Sequence, residues 1–92
     1  MFTLPIYIIH AGDASGVVGS GGMAVWSIAY TSLNAAKNAV EHEMDFIREE
    51  EGFAWIDEPK EFSPEETEGD PILSGGSESG FFCQIFRIDM VQ

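Results

Sequence analysis

The chain is short of cations. Only four residues are Lys or Arg, against sixteen Asp or Glu in 92, a formal net charge of −12. A surface so poor in positive charge repels nucleic acid and anionic lipid, so direct binding to either is not expected. Cysteine is scarce too. With Cys83 alone there is no internal disulfide, and nothing requires an oxidising compartment, so the cytosol is the expected location. No Lys or Arg precedes the apolar stretch MFTLPIYIIH and no small-residue cleavage pattern follows it, which argues against a secretory signal. The uncharged run 14–36 is long enough to span a bilayer, but ten of its 23 residues are Gly, Ser, Thr or Asn, so no membrane span is expected.

What is present suffices for one modest core. Hydrophobic residues make up 45% of the chain, with seven Phe and two Trp, enough apolar surface to offset the entropy of ordering. A chain of this length buries only about 60–65% of its unfolded surface, and one domain over 1–92 is expected.

Thr3 to His10 reads as a strand in which Ile6 and Ile8 alternate with Tyr7 and Ile9, both faces apolar enough for burial, with Pro5 near a strand end or sheet edge. A flexible Gly-rich loop over 11–22 follows, then a second strand from Met23 to Tyr30 with Trp26, Ile28 and Tyr30 on one face. From Ser32 to Glu51 the spacing of Leu33, Ala36, Val40, Met44 and Ile47 predicts a helix. Thr31 or Ser32 supplies its cap and Gly52 its left-handed stop; its length is roughly 30 Å. Phe53 to Asp57 is a short strand, and Phe81 to Val91 a long one whose Phe82, Phe86, Ile88 and Met90 share a face. Between them, 59–80 is an acidic loop rich in Pro, Gly and Ser, with one helix-start signal at Ser63, Pro64 and Glu66. The order predicts an α+β fold: a small antiparallel sheet in ββαββ order with one long helix packed on one face.

Chemical motifs fail on context. Gly19, Gly21 and Ala24 match a loose phosphate-loop spacing, but no Lys-Ser or Lys-Thr follows, and the next residues read as strand. His42-Glu43 begins a zincin pattern that Phe46 ends, since the second His must stand there. Asp57 to Glu68 has the length of an EF-hand loop, yet Phe62 occupies the obligatory Gly position and Pro59 replaces a ligand. His10, His42 and Cys83 fall on three different elements. No catalytic residues, metal ligands or cofactor are assigned, and the chain is not expected to be an enzyme.

The acids are concentrated. Between Glu41 and Asp70 thirteen stand against Arg48 and Lys60, a net of −11 in thirty residues. Glu41, Asp45 and Glu49 recur at four-residue spacing on the helix face away from the apolar stripe, where like charges cost a few tenths of a kcal/mol each. Glu49, Glu50 and Glu51 fill the last turn, where the helix dipole opposes them by about 0.3–1 kcal/mol apiece. Solubility requires neither the concentration nor the placement, so these carboxylates are read as a surface for a basic partner. The candidate contact residues are Glu41, Asp45, Glu49, Glu50, Glu51, Asp57, Glu58, Glu65, Glu66, Glu68 and Asp70, with Phe53, Trp55 or Phe62 as apolar anchors.

In size, α+β make-up and the acidic series EHEMDFIREEEGFAWIDEPKEFSPEETEGD, the chain resembles the small acidic anti-defence proteins of phages and mobile elements, the anti-CRISPR and DNA-mimic antirestriction proteins. The resemblance implies a non-enzymatic inhibitor acting in the bacterial host cytoplasm. Its target would be a basic nucleic-acid-binding complex, a CRISPR effector or a restriction enzyme, whose Lys and Arg groove the acids occupy in place of phosphates. The alternative is a phage or bacterial structural or assembly module, such as a homodimer pairing through the apolar hairpin, with acids serving solubility.

Overall fold

The computed structural model describes residues 3–13, 23–47, 52–56, 58–60, 69–78 and 80–91. The elements are β1 (Thr3–Asp13), β2 (Met23–Val25), α1 (Leu33–Ile47), β3 (Ala54–Trp55), β4 (Leu73–Gly76) and β5 (Phe81–Val91). All strands pair antiparallel in one five-stranded sheet of order β2-β1-β5-β4-β3. Its spine is the ribbon of β1 and β5, in continuous register from Thr3↔Val91 to Asp13↔Phe81. Both strands are dense in β-branched and aromatic residues, which suit a pleated, packed surface.

Side chains alternate across the pleat, so the register sorts them into two faces. Ile9, Ala11, Cys83 and Ile85 point to one face and are buried there together with Leu73, Ile72 and the helix residues Ala36 and Val40. Tyr7, Trp26, Tyr30, Leu33, Phe53, Trp55 and Phe81 pack around this cluster. Burying each large aliphatic side chain contributes about 1.5–3 kcal/mol, so these few residues are the main source of stability.

The class is α+β, but the expected ββαββ arrangement with a long helix is not what forms. A fifth strand, β4, lies inside the segment read as a loop over 59–80, between β5 and β3. Its sequence, Leu73-Ser74-Gly75-Gly76, has almost no strand propensity. It pairs because β5 offers it an open edge, and because a glycine is needed beside Trp55 of β3 and the adjacent Phe53. A Cβ on Gly75 would stand 2.8 Å from the Phe53 ring and 2.9 Å from that of Trp55. The turn into β5 closes through hydrogen bonds from Gly80 N to Ser77 O and from Ser77 N to Phe81 O, with Gly80 at φ 106°.

The second strand also differs. Only Met23–Val25 pairs regularly, in the register His10↔Val25, whereas Tyr30 bridges Tyr7. These two registers differ by two residues, and 26–29 bulges to absorb them. Trp26 and Tyr30 still reach the core, while Ile28 is turned out to solvent. The helix comprises fifteen residues, about 22 Å. It is shorter than the strands it covers, about 36 Å, and so does not cross the sheet completely. Residues 48–51 of the expected helix lie outside the described residues. No helix among the described residues is long and apolar enough to cross a membrane.

Candidate functional site

The start of α1 follows from Ser32, whose Oγ accepts a hydrogen bond from Ala35 N at 3.1 Å, an N-cap that satisfies one of the helix's open donors. With Ala36 and Val40 directed to the sheet, the 3.6-residue period turns His42 outward and Glu41 to the flank, whereas Glu43, three residues after Val40, shares the sheet-facing stripe and borders a hollow with Ala11, Trp26 and Phe81; all three are exposed. The described helix acids therefore do not share one outward face: Glu41 flanks β3, and Glu43 lies toward the Ala11 end of β1. Glu41 has a local partner as well. Its Oε1 accepts from Trp55 Nε1 at 3.0 Å, and Lys37, one turn earlier, holds its ammonium 5.7 Å from the Trp55 ring. The two side chains grip the indole from one helix turn and tie α1 to edge strand β3.

Of the expected contact residues, Glu41, Glu58 and Asp70 are exposed, and Asp45 falls within α1 by its backbone. Glu49, Glu50, Glu51, Asp57, Glu65, Glu66 and Glu68 lie outside the described residues, as does Phe62. Glu43, also exposed, joins the described acids on the helix. The expected anchors Phe53 and Trp55 are part of the core's rim instead: they meet edge to face at 5.2 Å, and Phe53 meets Phe81 at 5.9 Å.

The residues weighed for chemistry do not converge. Cys83 is fully buried on the helix-covered face, and burial pushes its thiol up to about 11, against an opposing hydrogen bond with the Gly75 backbone. At neutral pH it is a protonated, inaccessible thiol. His10 points to the opposite face of the sheet, its ring 6.2 Å from that of Phe86. His42 is exposed on the helix. Among the described residues no three His, Cys, Asp or Glu side chains are grouped to hold a metal ion.

A second surface emerges from the register alone. The face of the sheet opposite α1 carries Leu4, Ile6, Ile8 and His10 of β1, and Phe82, Gln84, Phe86, Ile88 and Met90 of β5. Val25 continues it on one edge, and Ala54 and Ile56 on the other. No described element covers it, and Val25, Ile56, Ile88, Leu4 and Met90 are 63, 60, 47, 41 and 41% exposed. The alternation of Phe82, Phe86, Ile88 and Met90 is plain in the sequence. That this is the open face, and the Cys83 and Ile85 face the core, is not. No protein-family model, curated protein or solved structure matches the chain.

Proposed function

We propose that this protein is a non-enzymatic binding module whose acidic segment, residues 41–70, engages a basic protein surface of the kind that holds nucleic acid, and inhibits by occluding it. The observation behind this reading is the concentration of charge: a net of −11 in thirty residues, of which Glu41, Glu43, Glu58 and Asp70 are exposed. On α1, Glu41 and Glu43 are exposed at the rim of the core, Glu41 also accepting the Trp55 hydrogen bond, so a partner's cations would meet them at that rim. Carboxylates set on a helix present negative charge at regular spacing, and a groove of Lys and Arg accepts them as it accepts phosphates. Bacterial defence nucleases and CRISPR effectors are the targets this proposal tests first.

A tagged pull-down from defence-competent bacterial lysate, run across a salt series, compares the natural chain with a variant carrying Glu49→Lys, Glu50→Lys and Glu51→Lys. The expected result is capture of a nucleic-acid-binding complex that weakens steeply with salt and is reduced at least about tenfold by the reversal. Equal capture by a folded variant would remove the acidic segment from the interface.

A further inference from the structure

We infer that the open face of the sheet is the contact surface for a second copy of this chain, giving a face-to-face dimer. This inference is independent of the acidic-surface reading.

Three features lead to it. The first is size. Two strands of eleven residues, widened at one end by β2, β4 and β3, present a face of roughly 600 Å², or about 1,200 Å² over two copies, which reaches the range of stable specific interfaces. Monomeric proteins rarely leave a contiguous apolar patch of that extent in water. Phe86 lies at the midpoint of β5, the central strand, where an aromatic anchor of such an interface is expected.

The second is charge. In a chain of net charge −12, none of the paired strand positions on this face is Asp, Glu, Lys or Arg, and an acid, Glu78 in the turn from β4 to β5, stands at its border. Arg87 and Asp89 project to the opposite face, where they form an ion pair at 3.2 Å. A basic or acidic partner finds little that is complementary on these strands, whereas an identical neutral apolar face is self-complementary. An isologous pair needs only that one surface.

The third is the placement of the α1 acids Glu41, Glu43 and Asp45 relative to this face. Packed sheets stand about 10 Å apart, and a helix layer adds about 10 Å on each side, so the two acidic helices are held roughly 30 Å from each other. The Debye length at physiological ionic strength is about 8 Å, so their repulsion is largely screened. The helix-covered face could not be used this way, since it would bring the acidic surfaces together. A shallow hollow of about 450 Å³ at the β3–β4 end of the sheet, lined by Ala54, Ile56, Gly76 and Phe82 with Glu78 also on its wall, gives the facing copy a place for a large side chain.

The test is sedimentation equilibrium of the full chain over a concentration series, with Ile88→Lys and, separately, Ile56→Lys. The natural chain is expected at twice its 10.1 kDa mass. Either lysine, buried unpaired in the dimer but exposed in the monomer, raises the dissociation constant by roughly 100-fold while circular dichroism stays unchanged. Peroxide footprinting of the natural chain needs no variant: Met90 is expected to be oxidised in dilute solution and protected on concentration. A monomer at every concentration overturns the inference. So does a dimer that both folded variants retain, or one that leaves Met90 unprotected. A monomer that instead floats with neutral phosphatidylcholine vesicles, and is released by Ile88→Lys, assigns the face to lipid and overturns it as well.

Discussion

Gly75 shows how one residue without a side chain organises its neighbours. It lies on the core face of β4, with Trp55 of β3 on one side and Cys83 of β5 on the other. The Phe53 and Trp55 rings occupy the space its side chain would take. Gly75→Ala should therefore displace both rings and cost about 1–3 kcal/mol, the usual penalty for overpacking. In a chain of this length a thermal melt should register that as a fall of roughly 4–8 °C per kcal/mol. Gly76 gives a contrast: its Cβ would meet the Phe81 carbonyl at 3.2 Å and no aromatic ring closer than 3.9 Å. Gly76→Ala should be the milder change in the same melt. Neither role is visible in Ser-Gly-Gly as a string, because the rings that require the space arrive from twenty residues earlier in the chain.

At the scale of elements, local chemistry and tertiary packing contribute in different proportions to α1 and to the strands. The helix begins where Ser32 can cap it, and its Leu33, Ala36 and Val40 stripe faces the core as the spacing predicts. Ser32→Ala should cost about 1 kcal/mol and Ser32→Gly only a few tenths, a difference that paired urea titrations can resolve. The strands were less legible. Tyr30 reaches its bridge with Tyr7 only after a two-residue bulge, so the single face expected for Trp26, Ile28 and Tyr30 breaks at Ile28. β4 was hidden because its pairing, not its composition, makes it a strand. The Trp55 tie to Lys37 and Glu41 was hidden for the same reason, since β3 and α1 meet only in the fold.

For the whole molecule, the governing fact is that one layer of helix, carrying Glu41, Glu43 and Asp45, covers one face of the sheet, while the strand positions of the other face are apolar or neutral. Self-repulsion among acids so closely spaced opposes the compact state. Raising sodium chloride from about 0.02 M to about 0.3 M, where the Debye length is several-fold shorter, should raise the melting temperature. A melt that is flat or falls with salt would mean that the acids are not in mutual repulsion. The two surfaces suit two tasks. On the two proposals above, the acids would meet a basic partner and the apolar face a second copy of the chain.

Composition, the position of α1 and the existence of the long β1 and β5 strands were determined by the sequence alone, because charge counts, helical periodicity, capping and β-branched alternation all act over a few neighbouring residues. The concentration of acids between Glu41 and Asp70 is likewise a property of the sequence itself. Which face of β5 is core was decided only in the tertiary structure. Both faces of the ribbon are apolar, so periodicity could not choose between them. The choice was made by Ala36 and Val40 settling on Ile9, Ala11, Cys83 and Ile85, which left Phe86, Ile88 and Met90 facing outward. Strand order likewise waited on pairing, since a β4 of Leu-Ser-Gly-Gly acquires its conformation from the edge of β5 and the Phe53 and Trp55 rings.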